Sequence, residues 1–185
     1  TMNSSNIPVY AMPKMGSFIK SNSAFNFLIN SNNIYLKSII DNIDINLNQD
    51  ISIRPFLVPH RNEMSETVGY RIFSMKKSIV YLPDIDSWED WDYDIIDIIK
   101  DNDILLLDGT FYQIDEVKNR KISEIPHPTI SHSMDKFSVL NKHNRNKIYF
   151  THLNHTNIAL HDKKISRALN QKGYNIANDG YSFTI

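Results

Sequence analysis

Several side chains that can bind metal ions fall where predicted β-strands end. Seven histidines occur in the chain, and five of them lie at predicted strand ends or in the adjoining loops. The candidates are His60, Asp84, Asp108, His152 and His155, and His127 and His132 share one loop. Because strand ends at one edge of a sheet bring together residues that are distant in sequence, these side chains are expected to meet.

Neutral imidazole and carboxylate are the nitrogen and oxygen ligands of zinc, iron and manganese. A carboxylate flanked by histidines can hold two cations about 3.5–4 Å apart, and such a pair makes hydroxide available near neutral pH. A plainer interpretation stays open at this point. A single histidine in a loop is often only solvated, Asp108 before Gly109 suits a turn, and Asp84 and Asp86 suit the cap of a following helix.

The composition excludes other kinds of site. The chain has no cysteine, so disulfides, cysteine-ligated zinc and a cysteine nucleophile are all ruled out. Basic and acidic residues number 20 and 21, so the net charge gives no general attraction to nucleic acid or to an anionic membrane. Nucleic acid is therefore a less favoured partner than a small molecule. The sequence has no Gly-rich phosphate loop and no Gly-x-Ser-x-Gly elbow.

The elements that must position these residues follow from hydrophobic periodicity and turn signals. Strands are predicted over 7–11, 51–58, 67–74, 78–82, 103–107, 147–151, 174–177 and 181–185. Helices are predicted in pieces over 13–30, from about residue 86 to Ile99, and over 131–140 and 162–172. Pro55 favours an edge or a bulge in its strand, and Gly173 suits the residue after a helix. This order predicts one α/β domain, of layered α+β type, over residues 1–185.

The candidate residues also fall in motifs that resemble a known family. The motifs cover residues 7–13, 58–63, 67–70, 81–88, 107–112, 125–128 and 152–157. Their order resembles proteins of the coenzyme PQQ synthesis protein B type, within the metallo-β-lactamase superfamily, along nearly the whole chain. A more distant likeness is to the long-form tRNA 3′-processing endonucleases and related phosphodiesterases.

The resemblance implies roles for these residues. His60 would bind one metal ion, Asp84 would bridge two, and His152 would bind the second. Asp108 and His132 would contact the metal ligands rather than the metal, or assist proton transfer. His155 would be an additional site residue. Zinc is the expected ion, with iron or manganese as alternatives and up to two ions in the complete fold.

One feature of the superfamily is missing from the sequence. Its His-x-His-x-Asp-His motif occurs nowhere in this chain. The resemblance therefore implies the C-terminal portion of a metallo-β-lactamase αββα sandwich, completed by an absent N-terminal half or a second copy. The implied activity is hydrolysis of a small-molecule ester or a phosphodiester by metal-bound hydroxide. Alternatives are an iron-dependent oxidative step in PQQ-type cofactor synthesis and a non-catalytic interaction module. A cytoplasmic location without a membrane span is expected.

Overall fold

The computed structural model of the protein describes residues 4–116 and 126–185. An N-terminal unit comes first, with strands β1 (Ile7–Ala11) and β2 (Ile34–Ser38) on either side of helices α1 (Pro13–Ser21) and α2 (Ser23–Asn30). The two strands pair in parallel as a separate two-stranded sheet. The expected strand over 7–11 and the broken helix that follows it are both confirmed.

The central element is a seven-stranded sheet with strands in chain order. Its members are β3 (Ile45–Asn46), β4 (Ser52–Leu57), β5 (Val68–Phe73), β6 (Ser78–Leu82), β7 (Ile104–Asp108), β8 (Ile148–Thr151) and β9 (Asn175–Ile176). Neighbours from β3 to β6 are antiparallel, and those from β6 to β9 are parallel. Strands β4, β6, β7 and β8 therefore all point their carboxyl ends to the same edge.

Pro55 lies where a proline can be accommodated. The short strand β3 pairs only with Ser52 and Ile53 of β4, so no strand of the described ranges pairs with Pro55 on that side. The proline pairs with Tyr70 on the other side, and its carbonyl accepts a hydrogen bond from Asn42 N. The expectation of a local edge is confirmed, since proline has no N–H to offer to a ladder.

The remaining helices follow the strands of the parallel half. They are α3 (Ile95–Asp101), α4 (Ile130–Lys136), α5 (Lys142–Arg145), α6 (Ile158–His161) and α7 (Lys163–Lys172), with short 3₁₀ turns at Ile114–Glu116 and Phe137–Val139. The predicted end of α7 is confirmed, because Gly173 has a φ of +92° in the left-handed region.

Two predicted elements differ from the structure. The helix expected from residue 86 begins at Ile95, where the Asp94 carboxylate caps Ile96 N. Upstream, the Ser87 hydroxyl accepts hydrogen bonds from the N–H groups of Glu89 and Asp90, which holds this stretch in turns. The strand expected over 181–185 does not form, and the rings of Tyr181 and Phe183 pack on Tyr149 instead.

The core lies between the sheet and the helices on one of its faces. Alternate strand residues, such as Leu82, Leu107 and Phe150, are buried with Ile95 and Phe137 from the helices. Intervening strand residues point to the opposite face. None of the helices in the described ranges combines the length and the hydrophobicity that a membrane span requires.

Candidate metal centre

The carboxyl edge of the sheet gathers four of the predicted site residues. Asp84 follows β6 by two residues, Asp108 is the last residue of β7, and His152 comes directly after β8. His60 follows β4, which ends at the same edge. The parallel ladders place Leu82 beside Leu107 and Asp108 beside Thr151, so the loops after these strands are neighbours.

The His60 ring is fixed from both sides. Its Nδ1 lies 2.6 Å from Asp86 Oδ1, and its Nε2 lies 3.1 Å from Asp84 Oδ2. The backbone around it is held as well, because the Thr67 hydroxyl donates to the His60 carbonyl at 2.8 Å and Asp86 N donates to Pro59 O at 2.8 Å. In the tautomer that donates Nδ1–H to Asp86, Nε2 would face Asp84 with its lone pair, and a cation between the two atoms would bind both.

Asp84 lies between two imidazoles. Its Oδ1 is 3.4 Å from His127 Nδ1, while Oδ2 faces His60. Oδ1 is buried from water and accepts no hydrogen bond within the part of the chain that the structure describes. A buried carboxylate oxygen without a donor costs free energy unless a proton or a cation approaches it.

Asp108, by contrast, is fully buried and already satisfied. Its Oδ1 accepts hydrogen bonds from the backbone and the hydroxyl of Thr110, at 2.9 and 2.7 Å. Its Oδ2 accepts from Ile85 N at 3.1 Å and from His127 Nδ1 at 2.8 Å. With four donors, this carboxylate fastens the loop after β6 and orients the His127 ring rather than presenting a free oxygen.

The charges around His127 favour a cation there. Burial lowers the pKa of this imidazole, but the hydrogen bond to Asp108 and the negative charges of Asp108, Asp84 and Asp86 outweigh it. The net effect is a pKa above the usual 6.5. Three carboxylates and three imidazoles share this edge, so the cluster carries excess negative charge that a divalent ion would compensate.

Thr110 connects Asp108 to His152. The single hydroxyl proton of Thr110 goes to Asp108, and its oxygen lies 3.0 Å from His152 Nδ1. His152 Nδ1 must therefore be the donor in that contact, which leaves Nε2 with the lone pair. His152 has a φ of +59°, a left-handed conformation that non-glycine residues adopt uncommonly and that is enriched at functional sites.

These residues fit a divalent metal. Each of the three imidazoles, His60, His127 and His152, has its Nδ1 engaged by a neighbouring side chain, as metal-ligating histidines usually have. Ligand atoms of Asp84, Asp108 and His127 lie within 4.8 Å of one another. Because Asp108 already accepts four hydrogen bonds, it holds His127 in place, and Asp84 and the imidazoles are the residues that could hold an ion.

The other two predicted site residues lie apart from these contacts. His132 is on α4, about half exposed, with Nε2 3.5 Å from Glu89 Oε1. His155 is exposed in the turn before α6, where its own N–H binds Asn154 Oδ1 and its carbonyl faces His161 Nε2. No contact in the described ranges joins either imidazole to the cluster. The proton-transfer role of His132 and the role of His155 as an additional site residue stay predictions.

Sequence reasoning assigned no role to His127, Asp86 or Thr110 in the cluster. A signal for His127 was present, since two prolines flank it and hold the chain extended. Its motif starts at Ile125, which lies outside the described residues. Asp86 looked like a helix cap, and nothing in the sequence indicated that it would meet His60, 26 residues earlier.

The chain matches a known family of proteins over most of its length. Residues 1–153 match the family model described as the β-lactamase superfamily domain. Coenzyme PQQ synthesis protein B from two strains of Acinetobacter baumannii, ACICU and SDF, is 27% identical over 139 residues, covering 70% of this chain and 45% of each relative. The chain thus spans about half the length of the curated relatives it matches.

Solved structures give the same fold. Zn(2+)-bound PqqB from Methylobacterium extorquens is similar with a TM-score of 0.78 at 22% identity, covering 97% of this chain and 65% of that one. A diphosphatase from the PhnP family is similar with a TM-score of 0.64 at 24% identity, covering 95% and 57%. The α/β prediction is confirmed, and the chain belongs to the β-lactamase superfamily domain family, as a metallo-β-lactamase-fold protein similar to coenzyme PQQ synthesis protein B.

Proposed function

We propose that this chain contributes a divalent metal site that hydrolyses an ester or a phosphodiester. One observation carries the proposal: Asp84 lies between His60 and His127, its buried Oδ1 accepts no hydrogen bond among the described residues, and the His152 ring lies 6.2 Å from that of His127. A set of nitrogen and oxygen donors without sulfur suits zinc, and also iron or manganese. A small-molecule or phosphodiester substrate is the proposed partner of the site.

Each residue has a distinct part in this proposal. His60, Asp84 and His152 are the proposed ligands, and His127 joins them. Asp86, Asp108 and Thr110 hold the imidazole rings in one orientation. A divalent ion at these residues would supply Lewis acidity toward a substrate oxygen and toward water. The exposed side of His152 leaves the centre open for substrate to approach.

A second function is favoured by one specific finding. The curated relatives are named for synthesis of the cofactor PQQ, and they match 70% of this chain. An iron-dependent oxidative step would use the same ligands. It differs in needing oxygen, so an activity that persists unchanged without oxygen supports hydrolysis and contradicts the oxidative alternative.

The partner prediction also stands as a proposal. Leu57 and Tyr81 are exposed hydrophobic side chains of the central sheet, and Tyr81 lies on the face opposite the helix-covered core. Apolar surface of this kind suits an additional apolar layer. A second copy of the chain, or a chain that carries the family's His-x-His-x-Asp-His motif, would supply that layer. A cytoplasmic location stays a prediction.

The test begins with the metal-free chain. We expect calorimetric titration with Zn²⁺ to show saturable binding, and bis(p-nitrophenyl) phosphate or p-nitrophenyl acetate to be hydrolysed only after zinc, manganese or iron is added. His60→Ala and His152→Ala should each weaken binding and abolish turnover. His143→Ala is the matched control, since this exposed imidazole lies on α5 and outside the cluster.

Two results would contradict the proposal. Metal binding of equal strength in His60→Ala and in the unaltered chain would place the ion elsewhere. The centre would be only a binding site if it bound metal but catalysed no hydrolysis, even after mixing with a chain that carries the His-x-His-x-Asp-His motif. Light scattering of the same samples tests the partner proposal, because a monomer in every mixture would remove it.

A further inference from the structure

A cavity of about 180 Å³ lies on the helix-covered face of the sheet, away from the candidate metal centre. Its wall includes Arg54, Phe56, Arg71, Trp91, Tyr93 and Asn102. Asn102 precedes β7 and Asp108 ends it, so the cavity and the metal centre are at opposite ends of the same strand. The cavity is smaller than the roughly 300–1,000 Å³ that drug-sized ligands occupy, so it suits a single ring.

Two arginines meet in this wall, and only one of them, Arg54, is in an ion pair within the described residues. Arg54 and Arg71 are directly opposite each other on β4 and β5, a like-charge pair that weakens a sheet. Arg54 is compensated by Asp44, which accepts its Nε and Nη2 hydrogens at 2.6 and 2.9 Å. Arg71 has no ion pair or hydrogen bond from its guanidinium among residues 4–116 and 126–185, although its charge helps to lower the pKa of Asp44 and its guanidinium lies 5.3 Å from the Phe73 ring centroid. Its N–H groups are therefore available to an anion.

Two buried polar atoms of the wall also have no partner. They are Arg71 Nε and Asn102 Oδ1, which find no hydrogen bond within the described ranges. Asn102 is only 6% exposed, and its Nδ2 is committed to the Ile98 carbonyl at 2.8 Å. A buried acceptor of this kind is costly to leave empty. The wall therefore offers one positive group and, separately, one acceptor for a hydrogen-bond donor.

Aromatic rings complete the wall. The Trp91 ring lies 5.7 Å from Phe56 and 5.4 Å from Tyr93, and its Nε1 donates to the Leu57 carbonyl at 2.9 Å. This hydrogen bond and the ring contacts fix the indole, so the part of it that lines the cavity is a rigid apolar surface. Asp101 also lines the cavity, and its negative charge disfavours a second anionic group while favouring a donor.

We propose that this cavity binds a small aromatic carboxylate that carries an amino group on the same ring. The carboxylate pairs with the Arg71 guanidinium, the ring packs against Trp91, and the amino N–H donates to Asn102 Oδ1. The site is separate from the metal centre, and it stands or falls independently of the proposed hydrolysis.

The first test uses the unaltered chain and four probes: 3-aminobenzoate, 4-aminobenzoate, benzoate and aniline. The chain has two tryptophans, so its NMR spectrum has two indole N–H resonances. The resonance that remains in Trp88→Phe belongs to Trp91. We expect a saturable shift of the Trp91 resonance in the millimolar range, tightest for an aminobenzoate, weaker for benzoate and weakest for aniline. Equal affinity for benzoate and aniline would overturn the proposal.

Variants then locate the carboxylate. Arg71→Gln should weaken aminobenzoate binding roughly tenfold or more, since it removes a charge-assisted hydrogen bond. Arg71→Lys should keep part of the affinity. Arg145→Gln is the matched control, because Arg145 also has a buried Nε without a partner and stacks on Tyr174, yet it lies outside this wall. Unchanged binding in Arg71→Gln, or no saturable shift up to about 10 mM, would overturn the proposal.

Discussion

His152 Nδ1 lies 3.0 Å from Thr110 Oγ1, and this contact joins an exposed imidazole to a buried strand end. The same hydroxyl donates to Asp108 at 2.7 Å and lies 3.4 Å from His127 Nδ1. One threonine thus sets the orientation of two imidazoles that come from different loops. Its position two residues after the end of β7 is what allows it to reach both loops.

Thr110→Val should weaken divalent metal binding about 10- to 100-fold, the usual effect of losing a group that orients a ligand. Valine keeps the shape of threonine but offers His152 Nδ1 no acceptor, so the imidazole loses its preferred tautomer. Zinc titration of the metal-free chain measures the effect. Thr110→Ser is the matched control, and its hydroxyl should restore most of the affinity. Equal affinity in the valine and serine variants would show that the hydroxyl does not position the ring.

The four members of the cluster that follow strands were predictable from the sequence. Asp84, Asp108 and His152 come after segments whose apolar runs mark buried strands, and parallel strands bring their carboxyl ends to one edge. His60 follows a strand whose direction depends on two antiparallel pairings. The strand itself can be predicted from local sequence, but its orientation toward this edge depends on the order of strands in the sheet.

The contacts between these residues were not predictable in the same way. Asp86 and His60 are 26 residues apart, and His127 and Asp108 are 19 apart. Hydrophobic periodicity reports which face of an element is buried and carries no information on which polar side chains meet in loops. The start of α3 was missed for a related reason, since Asp86, Asp90 and Asp94 are all plausible caps and only Asp94 is used.

His127→Ala should reduce zinc affinity and any hydrolysis far more than His132→Ala does. His127 touches Asp84 and Asp108 inside the cluster, whereas His132 is half exposed beside Glu89. We expect a loss of at least tenfold in metal affinity for the first variant and a change within about twofold for the second. Parallel titrations and turnover assays measure both. A larger loss of turnover in His132→Ala, at unchanged metal affinity, would restore His132 to the proton-transfer role.

Glu66 should make the stability of the N-terminal unit depend on pH. Its carboxylate accepts hydrogen bonds from Lys14 N and Met15 N, so it caps α1 from 51 and 52 residues away. Partial burial raises the pKa of Glu66, but the hydrogen bonds from Lys14 and Met15 outweigh it and hold the pKa below its ordinary value of 4.5. The capping contribution is then complete above pH 4.5 and is lost as the pH falls through the lower folded-state pKa.

Glu66→Gln should therefore lower the free energy of unfolding at pH 7 by up to about 1 kcal/mol, and the difference from the unaltered chain should shrink below pH 4.5. Urea unfolding followed by circular dichroism at several pH values measures it. Glu63→Gln, an exposed carboxyl of the same loop, is the matched control and should show no such difference. A pH-independent difference for Glu66→Gln would mean that the charge plays no part in capping.

Gly69→Ala should destabilise the sheet, whereas Gly16→Ala should not. A Cβ at Gly69 would lie 2.5 Å from Phe56 Cζ and 3.3 Å from Leu82 Cδ1, and Phe56 is buried against Trp91 with little room to move. Overpacking of this kind costs about 1–3 kcal/mol in the free energy of unfolding. At Gly16, inside α1, nothing lies within 4 Å of the added carbon, and alanine is the better helix former by about 0.5–1 kcal/mol.

Denaturant unfolding of both variants measures the two opposite effects. A stabilised Gly69→Ala would show that Phe56 can rotate away. Since Phe56 and Trp91 both line the aromatic cavity, the Gly69→Ala variant should also bind aminobenzoate differently, while Gly16→Ala should bind it as the unaltered chain does. If Gly69→Ala lowers the free energy of unfolding but binds aminobenzoate as the unaltered chain does, the displaced Phe56 ring moves within the core and the cavity wall stays in place.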